Sequence, residues 1–204
     1  SVEAGVMGRV LCTELAGKTL CVVGVGRIGK ALARMAHGFD MNVIGVRRSA
    51  QTDDVLQAGF SRVCTIERLH EALAISDFVV LAVPLNDQTF DLIGTPEFEA
   101  MRTSAMLINV SRGPNVNREA LAGALAKNLI GGFGADVYWT EPADPQDPLL
   151  RDPRVFITPH IGAESIEAIT RMSMAAKDNI DRLRDGKPLL NVVNAPAAGK
   201  AKAR

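Results

Sequence analysis

Three charged residues stand where apolar runs give way to glycine or proline: Arg112 in "AMLINVSRG", Glu141 in "GGFGADVYWTEP" and His160 in "RVFITPHIG". Loops of that kind let the backbone present a side chain to a cleft. The three types suit one chemistry, the reduction of a carbonyl that lies beside a carboxylate. A guanidinium binds a carboxylate through two parallel hydrogen bonds and polarises the neighbouring carbonyl. An imidazole gives or takes the proton on the carbonyl oxygen, and a carboxylate next to it favours the imidazolium and fixes the ring. A positioned acid of this sort contributes roughly two to four powers of ten in rate. Singly, each residue has a plainer reading: an Arg after a strand is often a surface charge, and Glu141-Pro142 can simply begin a loop. The other two histidines, His37 and His70, lie on or beside helical patterns among polar neighbours and read as structural.

Residues so far apart in sequence meet only if the chain folds into an open sheet. From Lys18 onward short apolar runs alternate with helical patterns, the signature of strand-helix-strand units on a parallel sheet. The runs predict strands over 20–23, 42–46, 62–64, 78–83, 105–110, 132–137 and 155–157. They are apolar on both faces, as a sheet covered by helices on two sides requires. Helical spacing covers 27–37, 52–58, 66–74, 96–101 and 118–127, and a long amphipathic helix over 164–184 is closed by Gly186. The expected class is α/β, a Rossmann-type doubly wound parallel sheet, and in such a sheet ligands bind beyond the carboxyl ends of the strands. Arg112, Glu141 and His160 all fall at such ends.

The first strand runs into Gly24-Val25-Gly26-Arg27-Ile28-Gly29, a G-x-G-x-x-G that opens a helix. The first glycine permits the tight turn, the second admits a pyrophosphate to the backbone, and the third lets helix and strand pack closely. Amides near Arg27 and Ile28 then face the phosphates at the positive end of the helix. About 20 residues on, an NAD-binding chain places a carboxylate against the ribose 2′-hydroxyl. Here that place holds Arg47, Arg48 and Ser49. A guanidinium accepts no hydrogen bond but holds a phosphate in a forked contact, so the stretch suits the 2′-phosphate of NADP (as NADPH) better than the hydroxyl of NAD. One such contact contributes roughly 1.5–3 kcal/mol, enough for a preference and too little to exclude NAD. The competing reading is a solvated strand end neutralised by Asp53 and Asp54.

Length and composition agree with one well-buried domain. The 204 residues balance 23 Lys+Arg against 23 Asp+Glu, which gives no reason to expect a nucleic acid as partner. No apolar run is long enough to span a membrane. The three cysteines, Cys12, Cys21 and Cys64, lack the spacing of a disulfide framework or a zinc site, so we expect no metal and a reducing, cytoplasmic setting. The opening residues have no initiating Met and no signal-peptide pattern, and we expect a fragment of a longer chain. The small, basic end from Ala197 to Arg204 reads as a disordered tail.

With these residues in hand, the chain resembles the coenzyme-binding domain of the D-isomer-specific 2-hydroxyacid dehydrogenases, in the manner of their glyoxylate and hydroxypyruvate reductase-like members. The resemblance runs from about Glu14 to Val193 and rests on "GVGRIG", "LAVPLNDQT", "LINVSRGPNVNREAL", "GADVYWTEP" and "ITPHIGA". It implies that Arg112, Glu141 and His160 are the catalytic Arg, Glu and His. It implies that Val83 and Pro84 line the adenosine side, with Thr89 in the matching loop. Asp136 matches the acid near the nicotinamide carboxamide, and Gly162 matches a backbone position facing the same ring. Val110 and Ser111, in the run before Arg112, join the cofactor-binding set. The resemblance also implies pairing of coenzyme domains into a homodimer, and a second, substrate-side domain that this chain lacks. Residues 1–13 would then arrive from that domain, 14–187 form the dinucleotide-binding domain, and 188–204 form a return segment and the tail. The chain alone is expected to bind dinucleotide and to reduce 2-oxo acids poorly. Two other readings share the fold: a dinucleotide-sensing scaffold like the C-terminal-binding-protein corepressors, and an adenosylhomocysteinase-like domain, which the ordered Arg, Glu-Pro and Thr-Pro-His motifs fit badly.

Overall fold

A computed structural model describes residues 12–49 and 58–193. The helix expected over 52–58 lies outside these except for Ala58, as do most of the opening segment and the tail. The chain divides into two units, Ser1–His160 and Ile161–Arg204.

The first unit is built on seven parallel strands. In chain order they are β1 (Thr19–Val23), β2 (Asn42–Arg47), β3 (Arg62–Thr65), β4 (Phe78–Leu81), β5 (Met106–Asn109), β6 (Gly132–Ala135) and β7 (Val155–Ile157). Among the helices are α1 (Arg27–His37), α2 (Leu69–Ala74), α3 (Thr95–Ala100) and α4 (Arg118–Ala126). The strands lie in the order β3-β2-β1-β4-β5-β6-β7. The order reverses between β1 and β4, which pair from Leu20↔Phe78 to Val23↔Leu81. At such a reversal the flanking connections run to opposite sides and leave a crevice at the carboxyl ends.

Side chains alternate across the sheet, and each face has its own core. Cys21, Val23, Ile44, Val79, Leu81 and Leu107 join Phe98, Leu121 and Leu125 of the helices on one face. On the other, Leu20, Val22, Val43 and Val80 meet Ala33 and Ala36 of α1. Small residues on the inner side of α1 let its backbone lie close to the sheet, and Gly29, Ala33 and Ala36 are its buried positions. α4 begins at the cap the sequence offers, where Asn117 accepts from the amide of Ala120 at 2.9 Å, a contact that satisfies one of the orphaned first-turn donors.

Several expected strands outlast the ladder. β4 ends at Leu81, β5 spans Met106–Asn109 and β6 ends at Ala135. Val83 and Val110 lie beyond the strands and line hollows at the end of the sheet, so an apolar run there reports the wall of a hollow as well as a strand. The helix expected over 66–74 opens as a tight 3-10 turn, Ile66–Arg68, before α2 begins.

The second unit holds α5 (Ile166–Arg184). Ser165 caps it by accepting from the amide of Ala168 at 3.0 Å, and Gly186, with φ +66°, follows its end. Among the described residues after Pro188, which end at Val193, none forms a strand. This segment is fastened to α5 by Asn179, which donates to the Leu190 carbonyl at 3.1 Å and accepts from its amide at 2.8 Å. Among the described residues, no helix is long and apolar enough to cross a membrane.

Candidate active site

The crevice begins at the turn after β1. Gly24 has φ +108°, a conformation that favours glycine, and a Cβ on it would lie 2.3 Å from the carbonyl oxygen of Ala82. A Cβ on Gly29 would lie 2.1 Å from the carbonyl oxygen of Gly24. Gly26 differs: nothing lies within 4 Å of the position its Cβ would occupy. Two glycines are therefore required by packing, and the third keeps a space open at the start of α1. First-turn amides of a helix have no partner one turn back, and α1 carries no acidic residue there. The open space, the unpaired amides and the helix dipole together fit a pyrophosphate.

Two hollows meet over the β1–β4 reversal and share Ala82, Val83 and Pro84 as a common wall. The larger, about 540 Å³, is lined by Gly24 and Gly26, by Arg47, Arg48 and Ser49 at the end of β2, and by Thr89. Arg48 is steadied from across this hollow, where its Nη1 donates to Gln88 Oε1 at 3.3 Å. Thr89 braces the wall, since its hydroxyl donates to the Pro84 carbonyl at 2.6 Å and accepts from the Asn86 amide at 2.9 Å. Glu67 also lines this hollow, a carboxylate that motif spacing did not single out. The smaller hollow, about 410 Å³, takes in Ile28, Val110, Ser111 and Arg112.

Arg112 sits in a backbone that two buried asparagines hold. Asn109 donates to the Arg112 carbonyl at 2.7 Å and accepts from the Ser111 amide at 2.9 Å. Asn115 accepts from the Arg112 amide at 3.0 Å. Both side chains belong to fully buried residues, where a polar group needs its partners satisfied. The Ser111 hydroxyl accepts from the Val83 amide at 2.9 Å and ties the end of β5 to the wall between the hollows. The signal for this bracing was present as two Asn flanking Arg112 in "LINVSRGPN", though nothing in spacing alone says that they turn inward.

His160 Nδ1 and Glu141 Oε2 lie 2.7 Å apart. The other oxygen of Glu141 accepts from the Tyr138 amide at 3.0 Å. The hydrogen bond from His160, then the Tyr138 amide and, more weakly, the Arg112 charge hold the Glu141 carboxyl below its ordinary value. An ionised carboxylate only accepts, so Nδ1 carries the proton in this contact and Nε2 lies outside it. His160 itself has φ +57°, a left-handed conformation that costs a non-glycine residue roughly 1–2 kcal/mol. Such outliers concentrate at functional sites. Asp136 lies one residue beyond β6 and accepts from the Thr158 hydroxyl at 2.5 Å.

The first unit thus assembles most of the residues singled out from sequence. Gly24, Gly26, Arg47, Arg48, Ser49, Val83, Pro84 and Thr89 share the larger hollow; Ile28, Val110, Ser111 and Arg112 share the smaller. Arg27 opens α1 as an exposed residue and Gly29 is buried beneath the turn. Asp136, Glu141 and His160 stand at the ends of β6 and β7 and line neither hollow, while Gly162 belongs to the second unit. His70 is engaged elsewhere, with Nε2 at 2.9 Å from Glu97 Oε1.

A doubly wound parallel sheet whose glycine turn and arginine-lined hollow meet at the strand-order reversal defines a dinucleotide-binding domain. Comparison with known proteins narrows the class. The model of the D-isomer specific 2-hydroxyacid dehydrogenase, NAD binding domain, matches residues 2–162, and the chain belongs to that family. It is 41% identical over 184 residues to glyoxylate/hydroxypyruvate reductase B of Enterobacter sp. (strain 638), covering 89% of this chain and 55% of that protein. It is 37% identical over 183 residues to a glyoxylate reductase of Korarchaeum cryptofilum (strain OPF8), covering 89% of this chain and 53% of that one. The crystal structure of a glyoxylate reductase from Paecilomyes thermophila superposes with a TM-score of 0.81 at 31% identity, over 92% of this chain and 56% of that one. The chain spans about half the length of the curated relatives it matches.

The glycine geometry separates packing from binding. Gly29→Ala forces a Cβ against backbone, and overpacking of this kind costs roughly 1–3 kcal/mol, so its melting temperature falls by several degrees. Gly26→Ala meets no protein atom; its melting temperature changes less than that of Gly29→Ala, while affinity for NAD(H) or NADP(H) drops at least tenfold by titration of cofactor fluorescence. Unchanged cofactor affinity in Gly26→Ala counts against the open space as the phosphate site.

Proposed function

We propose that this chain is the coenzyme-binding part of a cytoplasmic reductase that converts a 2-oxo acid to a D-2-hydroxy acid, using NADPH in preference to NADH. The observation that carries the reading is the His160–Glu141 contact of 2.7 Å at the end of β7, with Arg112 at the end of β5. Names borne by the relatives support the substrate class, since those proteins are called glyoxylate and hydroxypyruvate reductases. A dinucleotide-sensing scaffold makes no use of that pair, and no observation favours it.

A reduced nicotinamide, when bound, would supply the hydride that the keto carbon accepts. Arg112 binds the substrate carboxylate through its guanidinium fork and draws electron density from the adjacent carbonyl. His160, protonated on both nitrogens, gives the Nε2 proton to the carbonyl oxygen and is left as the Nδ1–H ring. Glu141 stabilises the charged ring before transfer and fixes its plane throughout. The first-turn amides of α1 with Gly24 and Gly26 take the pyrophosphate, and Val83 and Pro84 wall the adenosine side. Val110, Ser111 and Asp136 hold the nicotinamide side. Arg47, Arg48 and Ser49 take the 2′-phosphate, with Thr89 keeping the opposite wall in place. The resemblance of coenzyme domains across the family supports a homodimer formed through this one.

Three measurements test the reading. Changing Arg47 and Arg48 together to Ala weakens NADPH by about one to two powers of ten, as expected for lost charged hydrogen bonds, and NADH much less; equal losses return these residues to a solvated strand end. In a form of the gene product that turns over 2-oxo acids, His160→Ala lowers kcat by at least two powers of ten while NADPH binding is kept, and an unchanged rate rejects its role. The 204-residue chain alone is expected to bind dinucleotide but to reduce 2-oxo acids poorly, since it spans about half the length of the relatives it matches; robust turnover overturns that expectation.

A further inference from the structure

Tyr138 stands where three parts of the site cross, and although it lies within "GADVYWTEP", no role is assigned to it from sequence. Its amide donates to the Glu141 oxygen that His160 leaves free. Its carbonyl lies against Gly113, the residue after Arg112, so closely that a Cβ on Gly113 would be 2.3 Å from both the carbon and the oxygen. Its hydroxyl donates to Asp147 Oδ2 at 2.7 Å. The ring is buried and meets Trp139 edge-on with centroids 5.1 Å apart, and Trp139 Nε1 donates to the Val116 carbonyl at 2.7 Å.

Asp147 is itself held from three sides. Arg118 Nη2 lies 2.7 Å from each of its carboxylate oxygens, and the Leu149 amide donates to Oδ1 at 2.9 Å. Arg118 above all pushes its carboxyl down to about 2. Burial, followed by the contact with Asp147, pushes the Tyr138 hydroxyl up to about 12. Both groups therefore keep their bonding states across the working range of a cell. The segment between them has left the sheet, since β6 ends at Ala135. There the Tyr138 peptide is held by Glu141 at its amide and Gly113 at its carbonyl, and its side chain by Asp147.

We propose that Tyr138, clasped at its hydroxyl by Asp147 and Arg118, is a positioning residue that aims its own amide at Glu141, holds His160 as the Nδ1–H tautomer, and seats the Gly113 turn that carries Arg112. One tyrosine thereby sets the alignment of the proton donor and the carboxylate anchor, which stand at the ends of different strands. The role rests on the proton-transfer function proposed above for the His160–Glu141 pair; the geometry of the clasp does not.

The neutral imidazole in water favours the Nε2–H form, so a held Nδ1–H form is a signature that simple destabilisation does not produce. The chain has three histidines, and after ¹⁵N-histidine labelling His160→Asn identifies the signal of interest. At a pH where the ring is neutral, two-bond nitrogen-proton correlation gives the ratio of the tautomers. We expect His160 in the unaltered chain to be mainly Nδ1–H, and Glu141→Ala to reverse this. In Tyr138→Phe and Asp147→Asn the ratio falls at least about threefold, as loss of part of one hydrogen bond implies, with methyl spectra still those of a folded protein. Should Asp147→Asn unfold, Tyr138→Phe decides, because it removes one oxygen and keeps the ring packing. An unchanged ratio in folded Tyr138→Phe, or a His160 that is mainly Nε2–H from the outset, overturns the proposal. A normal tautomer response with undiminished turnover in His160→Ala would instead overturn only the catalytic reading.

Discussion

Backbone packed directly on backbone is the constraint from which the site follows. At Gly24, Gly29 and Gly113 the neighbouring main chain lies where any side chain would have to sit. At the first two, the turn after β1 is pressed between β4 and α1, which brings the helix terminus to the β1–β4 reversal. At the third, the Arg112 turn is pressed onto the segment after β6. Close contact of this kind has few soft torsions, so it transmits position well; protein interiors pack at the density of organic crystals and do not yield by small amounts.

Polar groups finish what that packing begins. Fully buried Asn109 and Asn115 hold the main chain at Ser111 and Arg112 from both sides, and the Ser111 hydroxyl reaches the Val83 amide. The asparagine contacts stay within the turn after β5, and the Ser111–Val83 bond joins that turn to the loop after β4. An unpartnered buried amide costs roughly 1–3 kcal/mol, and the network therefore disfavours any rearrangement that parts β4 from β5. Arg112 is itself exposed, while the main chain that carries it is held from both sides.

Much of this was legible in the sequence because it depends on local pattern. The apolar runs gave the strands to within a few residues, and the strand-helix alternation gave their parallel sense. The three glycines announced the crevice, and the ends of β2, β5, β6 and β7 supplied the charged residues. The runs over 78–83 and 105–110 overshot, because β4 ends at Leu81 and β5 at Asn109, and Val83 and Val110 line the hollows beyond them. The tight turn Ile66–Arg68 was merged with α2, since one helical period does not distinguish the two. The Tyr138–Asp147 clasp and its Arg118 anchor were invisible. They join residues from different elements, and a tyrosine in "DVYW" carries no mark of which way its hydroxyl turns. Glu67 was missed for a related reason: only the pairing of Arg47 with Thr65 brings the end of β3 beside the end of β2.

The reversal of strand order that creates the crevice also bears on how the chain reaches its fold. β1 is flanked by β2, a near neighbour in sequence, and by β4, and the contact that opens the β1–β4 edge, Thr19 to Asp77, spans 58 residues. Loop closure over such a span must precede its reward, and sheets dominated by distant parallel pairs fold slowly for that reason. The β1–β2 half with α1 is assembled from local contacts, as is the succession β4, β5 and β6. The crevice is therefore the seam at which two halves built from nearer neighbours in the sequence meet, and the β1–β4 pairing carries the largest loop-closure cost in the sheet.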